Sequence, residues 1–266
     1  MLVKFGYAPP EKKSHKRLPG REPAQSAVHF GVNVRSGPKH GLKIDRDSYA
    51  VISKRSTVHF PREYDPVFYH SLDGDYEDED HRIHTDEWCA AQQLRALENF
   101  DLNMAFFESL DAEEFDRALT TAVAAQKGMV EVTDLNEWEG TPGLYVMVLD
   151  NHRQAYVGIT ESVGGIKGRI RQHWSSSKSF DTLLWGKVNE SIMAVDSFRA
   201  LDKTRIFAAE VRSPLDLEHK VIKSLPKKYI LNRIMGGDVR AIGFAAAVGV
   251  DIVRKHDLSP SQDRTS

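Results

Sequence analysis

Six side chains in the second half of this 266-residue chain have the types and order to act on a phosphodiester: Tyr145, Tyr156, Arg169, His173, Glu218 and Asn232. Cleaving that bond takes an activated water for in-line attack, a partner for the charge that builds on the phosphorus oxygens, and a metal ion or acid for the leaving oxygen. Glu218 is a hard anionic ligand suited to one Mg2+ or Mn2+. Arg169 can grip a phosphate through two parallel hydrogen bonds, which a lysine cannot do. The phenols of Tyr145 and Tyr156 can orient or deprotonate a water. His173 titrates near neutrality and suits either a proton relay or a phosphate contact. Asn232 orients the others by hydrogen bonds. Taken singly, each has a plainer reading: a tyrosine packed in a strand, an arginine on a solvated helix face, a glutamate at the surface.

The elements that must hold these residues follow from periodicity. Gly143–Leu149 is an apolar run that reads as a buried strand, Asp150-Asn151-His152 as a turn, and 155–159 as the hairpin partner. A helix is expected over 165–174, with Ile166, Ile170 and Trp174 facing the sheet and with Arg169 and His173, four apart, on a neighbouring face. Ser213-Pro214 is a helix start, a serine cap followed by proline at the first helical position. Glu218 then falls in the second turn, Pro226 ends the helix, and Asn232 lies in the next segment.

This ordered set resembles the GIY-YIG nuclease superfamily: Gly143-Leu144-Tyr145, ten residues, Tyr156-Val157-Gly158, then Arg169, His173, Glu218 and Asn232. Leu144 and Val157 stand where the motif has isoleucine. The resemblance covers residues 139–237, about a third of the chain. It implies a metal-dependent endonuclease that hydrolyses DNA, with Tyr145 as general base, Glu218 as metal ligand and Mg2+ (or Mn2+) as cofactor. Lys167, Arg171 and Lys178 are the expected nucleic-acid contacts. Restriction-type cleavage is the preferred subclass by analogy of chain length; repair, recombination and mobile-element nucleases share the motif. RNA is a second polymer open to the same chemistry. The alternative from another class is a non-catalytic DNA-binding module that keeps the fold. One site per chain favours a homodimer if both strands are cut.

Composition sets the frame. Hydrophobic residues make up 41% and charged residues 28%, ordinary globular values, with a net charge of −2. The single cysteine, Cys89, excludes an intrachain disulfide and sits in an apolar helical pattern as a core residue. No apolar run is long enough to span a bilayer, so a cytoplasmic, DNA-associated protein without membrane partners is expected. The mean charge hides segregation, because 73–87 is dominated by acids whereas 1–21 and 162–178 are basic.

The predicted architecture is α+β, a small antiparallel sheet flanked by helices, preceded by a mainly helical region with a few short strands. Residues 1–26 read as a disordered basic arm, 27–138 as an accessory α/β region of unknown specificity, 139–237 as the nuclease-like domain, and 238–266 as a helix and polar tail. Within 27–138, strands are expected at 27–34, 49–53 and 57–60. The acidic stretch reads as a solvated loop, with His81 and His84 declined as metal ligands. A helix starts at Thr85 with Trp88, Ala91, Leu94 and Leu97 inward. Another starts at Asp111 with a capping box to Glu114 and with Phe115, Leu119 and Ala122 inward.

Overall fold

The structure, a computed structural model, describes residues 25–35, 41–56, 62–175, 188, 192–211 and 215–232. In chain order the strands are β1 (Ser26–His29), β2 (Val32–Arg35), β3 (Val130–Glu131), β4 (Gly143–Leu149), β5 (Gln154–Thr160) and β6 (Arg205–Glu210). The helices are α1 (Arg46–Tyr49), α2 (Pro66–Ser71), α3 (Asp86–Glu108), α4 (Ala112–Ala124), α5 (Gly165–Ser175) and α6 (Leu215–Ser224). The predicted α+β class with small antiparallel sheets is what is found. Most of the expected basic arm, the 57–60 strand, Lys178, the Ser213-Pro214 cap and the C-terminal helix lie outside the described residues.

β4 is the centre of a four-stranded antiparallel sheet ordered β3-β6-β4-β5. Every residue of β4 is buried, as a strand flanked on both sides and covered on both faces must be. β4 and β5 form the expected hairpin, turned by Asp150–His152 and by Arg153 in the left-handed region. The turn is tied to β6: Asp150 accepts from Thr204 Oγ1 at 2.5 Å and from Arg205 Nε at 2.9 Å. β6 fills the place beside β4 and was not anticipated.

β5 is an edge strand, and the segment after α6 covers its open side. Ala155 bridges Ile230 in parallel, Leu231 N donates to the Ala155 carbonyl at 2.9 Å, and Gln154 Nε2 donates to the Lys228 carbonyl at 2.8 Å. Covering an edge this way satisfies its backbone groups and blocks pairing with other chains.

α5 packs on the sheet through Ile166, Ile170, His173 and Trp174. The β1–β2 hairpin leans on its far end, with Phe30 stacked 6.4 Å from Trp174 and His29 at 5.4 Å, while His29 Nε2 meets the Lys203 carbonyl at 3.0 Å. That hairpin corrects the expected continuous 27–34 strand, because Phe30 and Gly31 both have positive φ and turn the chain. The expected 49–53 strand is also absent: Asp45 and Ser48 form a capping box that starts α1, and Tyr49 ends it.

α3 begins at Thr85 and α4 at Asp111, where the sequence puts them. On α4, Phe115, Leu119 and Ala122 are buried as expected. Only half of the capping box forms, however: Asp111 accepts from Glu114 N at 2.7 Å, whereas the Glu114 carboxylate turns to Lys228 Nζ at 2.6 Å. On α3 the inward face is only partly the expected one: Leu97 packs against the core and Trp88 stacks on His84, but Ala91 and Leu94 face outward. Leu94 is 68% exposed, while Gln92, Ala96, Asn99 and Asn103 are buried. Tyr49 donates to Asn99 Oδ1 at 2.8 Å, Asn99 donates to the Val188 carbonyl at 2.7 Å, and Asn103 donates back to Asn99. A buried polar cluster centred on Asn99 thus stands on part of the face where an apolar stripe was expected. Cys89 on this helix is half-buried, and burial raises its thiol.

The acidic stretch is folded, not a solvated loop. Asp78 accepts from the amides of Arg82 and Ile83, and Tyr76 bridges His84. Five rings stack in the order Tyr69, His81, Tyr76, His84, Trp88, at centroid separations of 3.9, 4.7, 4.4 and 3.6 Å. Both histidines are buried, and His81 Nε2 is held by Asp73 at 2.8 Å. The acids are the rim of an aromatic column. No helix among the described residues is long and apolar enough to cross a membrane.

Candidate active site

Strand register creates the site. Tyr145 pairs with Gly158 and Met147 with Tyr156, so both tyrosines point from one face of the sheet, their ring centroids 6.3 Å apart. The two motif glycines are steric requirements. A Cβ on Gly158 would lie 2.4 Å from the Tyr145 ring and hydroxyl, and one on Gly143 would lie 2.0 Å from the Ala209 carbonyl oxygen on β6. Bare backbone lets the phenol lie across β5 and lets β6 close on β4.

α5 lies over this face. His173 was expected beside Arg169 on a face next to the apolar stripe, but it belongs to the buried stripe, at 4% exposure. Its ring meets Tyr156 edge-on at 5.0 Å, and its Nε2 is 2.8 Å from the Tyr145 hydroxyl. Its Nδ1 is 2.5 Å from Asp196 Oδ1, on a short turn at Val195–Ser197. Burial lowers the His173 pKa, with Asp196 opposing that shift, which favours the neutral imidazole. Burial pushes the Tyr145 phenol well above its ordinary value and Tyr156 up to about 12, with Arg169 pulling both down. Both shifts favour a protonated phenol that donates to a neutral imidazole.

Arg169 is half-buried against the two phenols, whose favourable interaction outweighs the burial that would lower its pKa. Its Nη1 donates to Gln172 at 2.9 Å. Glu218 is 3% exposed on α6 and makes no hydrogen bond or ion pair with a described residue. Burial raises its carboxyl, with Arg169 opposing. A buried carboxylate that makes no hydrogen bond with a described residue and has only the field of Arg169 to meet its charge is costly.

Asn232 does not face the reacting groups. Its Nδ2 donates to the Val157 carbonyl at 2.6 Å, and its Oδ1 accepts from the Val157 amide at 2.9 Å. The side chain thus continues the edge ladder one step and fixes the residue between Tyr156 and Gly158. Of the expected nucleic-acid contacts, Arg171 is exposed, whereas Lys167 pairs with Glu139 at 2.8 Å. Asp196 escaped the sequence reading. A lone acid among Ile192, Met193, Val195 and Phe198, all buried, was the available signal.

Among the described residues, no three His, Cys, Asp or Glu side chains are grouped to hold a metal ion. Glu218 fits a different kind of site, since Mg2+ keeps several waters and takes one or two carboxylates together with substrate phosphate. Comparisons with protein-family models, curated proteins and solved structures return no match for this chain.

Proposed function

We propose that this protein is a metal-dependent endonuclease that hydrolyses DNA phosphodiester bonds at the face formed by Tyr145, Tyr156, Arg169, His173 and Glu218. The observation that carries this reading is the 2.8 Å contact between the Tyr145 hydroxyl and His173 Nε2, set beside an arginine and a buried carboxylate that this arginine attracts. A phenol, a neutral imidazole, a guanidinium and a hard anion are the parts a phosphodiester hydrolysis needs.

In this reading Arg169 holds a phosphate oxygen. As the water oxygen attacks phosphorus, the Tyr145 oxygen takes a proton from that water while its own proton passes to His173 Nε2, so no free phenolate forms where burial raises the Tyr145 pKa and lowers that of His173. The bond from phosphorus to the leaving oxygen breaks, and that oxygen takes a proton from solvent. Glu218 would hold Mg2+ or Mn2+, which when bound neutralises phosphate charge and stabilises the leaving oxygen. Tyr156 lines the more open side of the site, and Asn232 keeps it in place through Val157. Restriction-type cleavage by a homodimer is the narrower form of this reading and rests on analogy alone.

The full burial of Tyr145 favours a second reading, a binding module in which the phenol is only packed. A plasmid-nicking assay in Mg2+ or EDTA separates the two. Wild type should convert supercoiled DNA to open or linear forms in Mg2+, and Glu218→Ala and Tyr145→Phe should not. Binding without cleavage of supercoiled, linear, branched or single-stranded DNA, in Mg2+ and in Mn2+, would favour the binding module; cleavage of RNA alone would reassign the substrate.

A further inference from the structure

We propose that Asp196 is a positioning residue for cleavage: its carboxylate holds His173 in the tautomer whose bare Nε2 receives the Tyr145 proton. The proposal rests on the nuclease reading above and adds a residue that no motif supplies.

The argument starts from what each group can do. A carboxylate only accepts, so the contact at 2.5 Å places the imidazole proton on Nδ1. A neutral imidazole has one N–H, which leaves Nε2 as a lone pair aimed at the Tyr145 hydroxyl. With the proton on Nε2 instead, the ring would face the phenol with a donor and could take nothing from it. Transfer breaks the Tyr145 O–H bond and forms an Nε2–H bond. The resulting imidazolium carries both protons and lies against the Asp196 carboxylate. The charge created in a buried place is thus met by a carboxylate already there.

The turn that carries Asp196 is firmly held. Val195 and Ser197 on either side are buried, Phe198 N closes the turn onto the Val195 carbonyl at 3.1 Å, and the Lys203 ammonium lies 3.4 Å from that same carbonyl. Among the described residues, the other charged or titratable groups near His173 are Tyr145 and Tyr156 from the sheet, Arg169 from its own helix and Lys203 from the segment before β6. None of these fixes the Nδ1 proton.

Two measurements on the full chain test this. The first is single-turnover cleavage together with DNA affinity for wild type, Asp196→Asn and Asp196→Ala. Both variants should bind DNA as wild type does and cleave about 10²-fold more slowly or worse, the scale of a lost proton-transfer partner. The second is the imidazole 15N–1H spectrum, with the His173 signal assigned by its loss in His173→Gln. Wild type should show the Nδ1-protonated pattern, and Asp196→Ala should lose it. A wild-type cleavage rate in Asp196→Ala, or an unchanged tautomer pattern, overturns the proposal. Should Asp196→Ala not fold, the near-isosteric Asp196→Asn decides through its rate and affinity. If wild type cuts nothing, the nuclease reading falls, and the spectrum alone still decides whether Asp196 orients His173.

Discussion

Tyr145 on β4 lies directly across the sheet from Gly158 on β5, and its ring occupies the space a side chain at 158 would need. The tyrosine of the first triplet and the glycine of the second are therefore one steric unit. The ten residues between the triplets are the length of hairpin that brings them into register. This relationship ties the motif to geometry without reference to chemistry.

Gly158→Ala should accordingly displace the Tyr145 hydroxyl from His173. Overpacking of this kind costs about 1–3 kcal/mol, and a shift of about 1 Å at a reacting group can lower the rate about 10²-fold. Urea unfolding and single-turnover cleavage measure the two effects. A variant with wild-type stability and rate would show that the phenol has room to spare.

Asn232 should behave as an edge clamp and not as a reacting group. Asn232→Ala removes both side-chain bonds to Val157 and should cost about 1–3 kcal/mol, with faster hydrogen exchange at the Val157 amide. Asn232→Asp keeps an acceptor for that amide but sets a carboxylate oxygen against the Val157 carbonyl, so it should fare no better. Unaltered exchange at Val157 in both variants would remove the clamp.

The hairpin, α5 and the starts of α3 and α4 were legible because each has a strong local signal: an apolar run, a period of 3.6, or a cap residue. β6 was not, since Arg205-Ile206-Phe207-Ala208-Ala209-Glu210 is short and rich in alanine, and its role depends on a partner some sixty residues earlier. The inward face of α3 was read only in part: Leu97 packs on the core as expected, but hydrophobicity cannot reveal that Gln92, Asn99 and Asn103 are buried there too. In the candidate site, the residues were singled out by their resemblance to a motif, but how they sit relative to one another was not legible. That His173 is buried, that Asn232 holds backbone, and that Asp196 meets Nδ1 are all consequences of packing between distant segments.

Glu218 carries a linkage that can be measured with and without metal. Burial raises its folded-state pKa above that of the unfolded chain, so the folded protein holds that proton more tightly. Its contribution to stability therefore falls as pH climbs from the ordinary glutamate range through the raised value. Glu218→Gln should melt higher than wild type at pH 7 in EDTA, and Mg2+ should raise the melting temperature of wild type alone. The same variant should lose about 10²–10³-fold in Mg2+-dependent cleavage, the several kcal/mol a bound divalent cation supplies. Equal Mg2+ responses in the two proteins would move the cation site elsewhere.

Lys203 predicts an opposite slope. It is 1% exposed, and burial lowers its pKa from 10.5 to about 7 against the pull of Asp202 and Asp196. Between those two values the unfolded chain binds the proton and the folded chain does not, so stability rises with pH across that window, by at most about 1.4 kcal/mol per pH unit. Below pH 7 both states are charged and the cost of burying the ammonium is fully present. Lys203→Met removes that charge while keeping much of the chain volume over Phe198, whose ring centre lies 5.4 Å from Nζ. The variant should resist urea better than wild type at pH 7, and its advantage should shrink at pH 8 and again at pH 9. Parallel stability curves for the two proteins across those three pH values would mean that Lys203 keeps its proton in the fold. The ammonium would then be held by the carbonyls of Val195 and Arg199 more strongly than their separations of 3.4 and 3.5 Å imply.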